Sequence, residues 1–281
     1  MGLGLVVMMA ANLVVVTPVA DLYSEPDEAV AVATQAIYGT NVESLRRHGS
    51  WVEVRTPDGY TGWAPAASLH PLGGRCYACS GRVARIESLF ANIYREPDLT
   101  RHRPLVTVPF ETRLEVAAEP ETEQHRWIQL RLPGGTEGWI QRGDVSFDNR
   151  SLSIPDTVKL ARRFLGLPYR WGGVSTFGFD CSGFTQMLCR RRGIAIPRDA
   201  APQAAWEGMV PVERDRLEPG DLVFFGESPQ QITHTGMYIG DGEFIHATAW
   251  QRPVVQVSRL DDPHWSQLLV ACRRPRQKNQ P

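Results

Sequence analysis

The sequence predicts two small all-β units followed by an α+β domain. Three observations carry this reading. A two-block pattern in the first half occurs twice in the same order; the second half places helical patterns before a run of short strands; and one cysteine stands at the capped start of a helix.

A length of 281 residues suggests about two domains of ~150 residues each. The composition is 42% hydrophobic and 22% charged with a net charge of −1, so no basic excess points to nucleic acid or anionic lipid as a partner. Five cysteines, an odd number, do not read as a disulfide framework. Chemistry that depends on a free thiol fits a reducing compartment. Residues 2–11 are apolar, but no Lys or Arg precedes them. The apolar run continues through Leu13, Val14, Val15 and Val16 into a strand pattern, and it is too short to span a bilayer. The expectation is a cytoplasmic protein with an N-terminal extension and no integral membrane segment. An exported protein with a cleaved leader is the rival.

The duplicated blocks come next. Ala20-Asp21-Leu22-Tyr23-Ser24-Glu25-Pro26-Asp27 recurs as Ala91-Asn92-Ile93-Tyr94-Arg95-Glu96-Pro97-Asp98. Residues 51–63, from Trp51 to Trp63 across a Pro57-Asp58-Gly59 turn, recur as residues 127–139, from Trp127 to Trp139 across Pro133-Gly134-Gly135. Each copy alternates apolar and polar residues around a turn, the pattern of a hairpin in a small barrel. The pattern resembles the bacterial SH3 domain, which implies two such domains, over residues 1–75 and 76–150. Most tryptophans and tyrosines here belong to barrel cores. Tyr60 differs: it sits at the hairpin tip where the second copy has Thr136, and is a candidate ligand contact.

Between the copies, Cys76 and Cys79 form a C-x-x-C. No second ligand pair follows for zinc, and no βαβ setting for a redox motif, so they read as linker residues, with no metal expected. A second linker is expected over 147–154.

In the second half, residues 155–165 read as a helix, with Pro155 in its first turn and Gly166 after its end. A Gly-rich turn over 172–178 leads to Asp180-Cys181-Ser182-Gly183. Asp180 is a good N-cap, and Phe184, Met187 and Leu188 continue a helical stripe. Cys181 then lies at the first helical position, where unsatisfied N–H groups and the helix dipole favour a thiolate. Strands are expected over 222–225, 235–239, 243–247, 254–257 and 268–272, with a basic, solvated tail over 273–281.

A cysteine nucleophile needs a base, and the base an orienting partner. Of seven histidines, only His234 and His246 flank one hairpin turn. A regular two-residue turn would send their rings to opposite faces. A three-residue turn, or an equivalent bulge, pairs His246 with Gly236 and brings His234 diagonally beside it. The sequence therefore predicts such a shift. His264, His48, His70, His102 and His125 are expected to be structural or surface residues.

Five blocks of the second half, in order, resemble the NlpC/P60 family of papain-like cysteine peptidases: Pro168-Tyr169-Arg170-Trp171-Gly172-Gly173, residues 180–184, residues 219–225, residues 234–240 and residues 244–247. The resemblance implies a catalytic domain over 151–281, with Cys181 as nucleophile, His234 as base and His246 as its orienting partner. Tyr169 would assist the oxyanion together with the Cys181 N–H. Two bacterial SH3 domains before this one resemble the γ-D-glutamyl-L-diamino acid endopeptidases, which cut murein stem peptides bearing a free N-terminal L-Ala. In that group Ile196-Pro197-Arg198-Asp199-Ala200 matches a pocket loop, although many relatives carry serine at Ala200. Asp199 is then the candidate for the substrate ammonium and Ser182 for a polar contact, with Arg198 on the same loop. Tyr60 would close the pocket from the first SH3 domain. An exposed Arg198–Asp199 ion pair is the structural alternative. No cofactor is implied. The rival readings are an amidase or transpeptidase on other peptides, and a non-catalytic wall-binding protein.

Overall fold

The computed structural model describes residues 12–118 and 126–276. It divides into two compact units between Phe147 and Asp148. The apolar stretch over 2–11 and the last five residues lie outside the described residues.

Among the described residues, the first unit is all-β apart from short 3-10 turns. Its first sheet orders Val32–Ile37, Val19–Tyr23, Thr61–Pro65, Trp51–Arg55, Asn41–His48, Leu13–Val15 and Leu69–Pro71. A five-stranded sheet follows, ordered Glu137–Gln141, Trp127–Arg131, Arg113–Val116, Val83–Ile86 and Val145–Ser146, with Phe90–Ile93 and Val106–Pro109 paired separately. Each sheet covers its own apolar core, around Leu22, Val52 and Val54 in one and around Ile93, Ile128 and Leu130 in the other.

The duplication is visible in the packing. Tyr23 pairs with Trp63, and Tyr94 bridges to Trp139. Tyr23 meets Trp51 edge to face at 5.5 Å and 89°, and Tyr94 meets Trp127 at 5.6 Å and 87°. Glycine recurs where the strands cross most closely. A Cβ on Gly62 would lie 2.8 Å from Leu22 Cβ, and one on Gly138 would lie 2.7 Å from Ile93 Cγ2.

The Cys76–Cys79 segment departs from the expected linker. The two cysteines are joined in a disulfide, and Tyr77 and Ala78 between them are buried. Tyr77 donates its backbone N–H to Asn41 Oδ1 (2.8 Å) and its hydroxyl to the Arg131 carbonyl (2.7 Å). A buried aromatic residue held by both its backbone N–H and its hydroxyl anchors the turn, a feature that cysteine spacing alone does not reveal.

The second unit begins with α1 (Ile154–Arg163), capped by Ser153, whose Oγ accepts the Asp156 N–H. The short strands β1 (Val174–Ser175) and β2 (Gly178–Phe179) lead into α2 (Cys181–Arg191). Then come α3 (Ala200–Ala205), β3 (Met209–Pro211), β4 (Leu222–Gly226), β5 (Ile232–Gly240), β6 (Glu243–Thr248), β7 (Val254–Arg259), α4 (Pro263–Leu268) and β8 (Leu269–Pro275). The sheet is antiparallel throughout, in the order β3-β8-β4-β5-β6-β7. Helix α2 is buried at every position except Arg190 and packs on β5 and β6. A helix enclosed in this way is a core element rather than an amphipathic surface helix.

Two expectations at the C-terminal end are corrected. Residues 263–268 form α4, begun by Asp262 and by Pro263 at its first position, so the strand expected at 268 starts one residue later and runs to Pro275. Arg273 and Arg274 therefore belong to the sheet rather than to a solvated tail. Arg274 binds the buried Asp221 carboxylate with two nitrogens, at 2.8 and 2.9 Å, an ion-pair geometry that a charge run does not disclose. Among the described residues, no helix is long and apolar enough to cross a membrane.

Replacing Gly62 by Ala inserts a methyl group where Leu22 Cβ already stands, and overpacking of this kind costs about 1–3 kcal/mol. Thermal unfolding of the full chain is expected to show a lowered first transition for Gly62→Ala. Gly134→Ala, at a position with nothing within 4 Å of the new Cβ, is expected to leave it unchanged.

Candidate active site

Asp180 caps α2 from an extended backbone, its Oδ1 accepting the Gly183 N–H at 2.6 Å. That cap places Cys181 at the first position of the helix. The Thr235 and Ser182 backbone N–H groups point at its sulfur, so the start of α2 meets β5 next to His234.

The hairpin carrying the histidines supplies the required parity through a bulge. Gly240 pairs with Glu243, but Tyr238 pairs with Phe244 and Met237 with Ile245, so the register slips at Ile239. His246 consequently lies across from Gly236, where an added Cβ would come within 3.0 Å of His246 Cβ and 2.7 Å of the Phe244 ring. The bare backbone at Gly236 leaves room for the two rings to meet. His234 Nε2 and His246 Nδ1 are 2.6 Å apart, and His246 Nε2 lies 3.0 Å from Ser258 Oγ.

An aromatic wall holds this pair. Trp265 of α4 stacks on His234 at 5.1 Å and 28°, and meets His246 edge-on at 4.8 Å. Phe225 and Phe244 pack on Trp265 from the sheet, at 5.0 and 5.5 Å. His264, expected to be structural or at the surface, stacks on Trp250 at 3.7 Å and touches Trp265 at 4.6 Å. Sequence reasoning missed Ser258 and Trp265. The Asp262-Pro263 start signal could have located the helix that carries Trp265, but nothing local marks Ser258.

Burial outweighs the helix start in setting the charges. Burial, followed by the Asp180 charge, pushes the Cys181 thiol up to about 12, against the lowering effect of the two N–H groups and of Arg198. Burial, followed by His264, pulls His234 down to about 3, and His246 is lowered well below its usual value by burial and by His234. Burial thus disfavours the charged form of each group, opposing the preference for a thiolate expected from the helix start. Tyr169 stands close enough to feel the Cys181 and Asp180 charges, and its hydroxyl is raised to about 12, mainly by burial.

The predicted pocket loop splits into two kinds of residue. Asp199 stands at the N-cap of α3, where its backbone carbonyl accepts the Gln203 N–H at 2.9 Å and its side chain makes no cap hydrogen bond. Arg198 is buried, and it binds the Asp180 carboxylate bidentately (3.0 and 2.6 Å) and donates to Ser182 Oγ (3.0 Å). It is therefore not half of an exposed ion pair. Gln203, also missed from sequence, ties this loop to α2 through the Pro197 and Ser182 carbonyls (2.9 and 3.0 Å). Tyr60 belongs to the first unit, in the turn between Trp51–Arg55 and Thr61–Pro65. Among the described residues, no group of three or more His, Cys, Asp or Glu side chains is arranged to hold a metal ion.

Gly236→Ala is expected to spread the two imidazoles and lower kcat at least about tenfold with the fold intact by circular dichroism, since displacements near 1 Å suffice for such losses. The depressed His234 pKa also has a stability consequence. Between about 3 and 6.5 the unfolded chain binds this proton and the folded chain does not, so stability is complete above about 6.5 and falls as the pH drops through that window. Urea unfolding from pH 7 to pH 4 is expected to show this decline, with a shallower slope for His234→Phe.

Comparison with known proteins agrees with this geometry. Residues 166–274 match the model of the NlpC/P60 family, and residues 22–69 match that of the bacterial dipeptidyl-peptidase Sh3 domain. A gamma-D-glutamyl-L-lysine dipeptidyl-peptidase of Bacillus cereus is 34% identical over 256 residues, covering 86% of this chain and 74% of the relative. A protein of the same name from Bacillus subtilis is 29% identical over 86% of this chain and 81% of its own. The crystal structure of an NlpC/P60 family protein from Bacillus cereus superposes with a TM-score of 0.81 at 27% identity, over 94% of this chain and 99% of the other. With a capped cysteine, two joined imidazoles and a relative matched over most of its length, the chain belongs to the NlpC/P60 family of cysteine peptidases, with an SH3 domain before the catalytic one.

Proposed function

We propose that this peptidase hydrolyses the amide between γ-D-glutamate and an L-diamino acid in murein stem peptides that begin with a free L-Ala. The observation that carries the chemistry is the 2.6 Å contact between His234 and His246 beside a helix-capped cysteine. The substrate class follows the names of the relatives matched over most of their length.

One proton arrangement makes His234 a base. If His246 Nε2–H donates to Ser258 Oγ, then His246 Nδ1 accepts from His234 Nε2–H, and His234 Nδ1 is left as the acceptor. Cys181 Sγ attacks the γ-glutamyl carbonyl while its proton passes to His234. Because burial opposes separate charges on both groups, this transfer accompanies the attack rather than preceding it. The Cys181 backbone N–H and the Tyr169 hydroxyl stabilise the tetrahedral oxyanion. Its collapse breaks the C–N bond, and His234 returns the proton to the departing amine. Water, deprotonated by His234, then cleaves the thioester and regenerates the thiol. Asp199, at the start of α3, provides the negative charge for the L-Ala ammonium.

In the same reading, residues 76–150 form a second SH3-like domain. Their Tyr94–Trp127 and Tyr94–Trp139 contacts repeat those of Tyr23 with Trp51 and Trp63 in the first.

Incubation with L-Ala-γ-D-Glu-diaminopimelate is expected to release L-Ala-D-Glu, identified by mass. The N-acetylated peptide is expected to survive, and Cys181→Ala to lower turnover at least about 10³-fold. Cleavage of both peptides at equal rates would refute the free-amine requirement. Equal background release by wild type and Cys181→Ala would refute the hydrolytic assignment.

A further inference from the structure

We propose that Arg198 is a positioning residue that keeps the Cys181 thiol reactive by cancelling the charge of the carboxylate capping its helix. This rests on Cys181 being the nucleophile.

An N-cap needs only an acceptor, and Ser or Asn would supply one without charge. This chain uses Asp180, which places a carboxylate one residue from the sulfur, where a negative charge disfavours the thiolate. The groups acting on Cys181 come from several elements: Asp180 at the start of its own helix, the Ser182 N–H, Arg198 from the loop before α3, Tyr169 from the segment before β1, and the Thr235 N–H from β5, next to His234; Asp199 acts in turn on Arg198. Of these, only Arg198 carries a fixed positive charge. Its guanidinium spans both Asp180 oxygens and reaches Ser182 Oγ. The side chains of Arg198 and Asp180 are only 2% and 11% exposed, so water screens the pair little. Gln203 holds the backbone of the loop against α2 through the Pro197 and Ser182 carbonyls. In this proposal Arg198, expected from the sequence to contact substrate, acts on the nucleophile through Asp180.

The test follows alkylation of Cys181 by iodoacetamide against pH in the full chain, with the modified peptide identified by mass so that Cys189 and Cys272 do not contribute. Arg198→Met is expected to raise the inflection by about one pH unit or more and to lower kcat with KM changed less than about twofold. Asp180→Asn/Arg198→Met, which removes both charges, and Arg198→Lys, which keeps the positive one, are each expected to stay within about half a unit of wild type. These two variants carry the test if Arg198→Met does not fold. An upward shift in either of them as large as that expected for Arg198→Met overturns the proposal. So does a raised KM with unchanged inflection and kcat in Arg198→Met, which would place Arg198 on the substrate. Alkylation reads the thiol directly, so a failure here is distinct from a failure of Cys181→Ala to abolish turnover.

Discussion

A single extra residue in one strand determines whether this site exists. Ile239 interrupts the β5–β6 ladder, and that slip sets which β5 residue every β6 side chain from Phe244 onward faces. Because strand side chains alternate with a period of two, the bulge is equivalent to turning the whole strand over. The other features of the site act on that choice: the bare backbone at Gly236 gives the rings space, Ser258 orients the outer ring, and Trp265 covers both.

Around the sulfur, competing electrostatic effects are balanced at short range. Enclosure by apolar rings raises the cost of forming either charge of a thiolate–imidazolium pair. Backbone N–H groups and one guanidinium work against that cost, and a capping carboxylate adds to it. The backbone N–H groups at the helix start are dipoles already oriented toward the charge that develops there. Breaking a buried ion pair such as Asp180–Arg198 by removing one partner costs about 3–5 kcal/mol, so the network also stiffens the helix start that presents the nucleophile.

The parts legible in the sequence are those encoded by neighbours along the chain. Asp180, Cys181 and Gly183 lie within four residues, so the cap and the position of the thiol could be read directly. The meeting of His234 and His246 could be deduced because one hairpin joins them and only two parities were available. The duplication, too, was a matter of matching letters. What escaped depends on contacts between distant residues. Ser258 meets His246 across a strand pair, Gln203 reaches back to the Ser182 carbonyl, and Arg198 turns inward to Asp180 instead of outward beside Asp199. The helix bearing Trp265 did have a local signal in Asp262-Pro263, hidden by the apolar run that follows it. At Cys76–Cys79, spacing was a poor guide because the burial of Tyr77 organises the turn.

The place of β8 in the sheet has a consequence for how the enzyme comes into being. This strand, made of residues 269–275, is not an edge: it lies between β3 and β4, and β4 in turn supports β5. A ribosome delivers these residues after all the other strands of the sheet, so the sheet cannot close until synthesis has passed them. The helix that stacks on His234 is likewise delivered only just before them. The nascent chain therefore carries the nucleophile and both imidazoles before the sheet that aligns them can close, and truncation within these residues is expected to leave those three side chains without that framework.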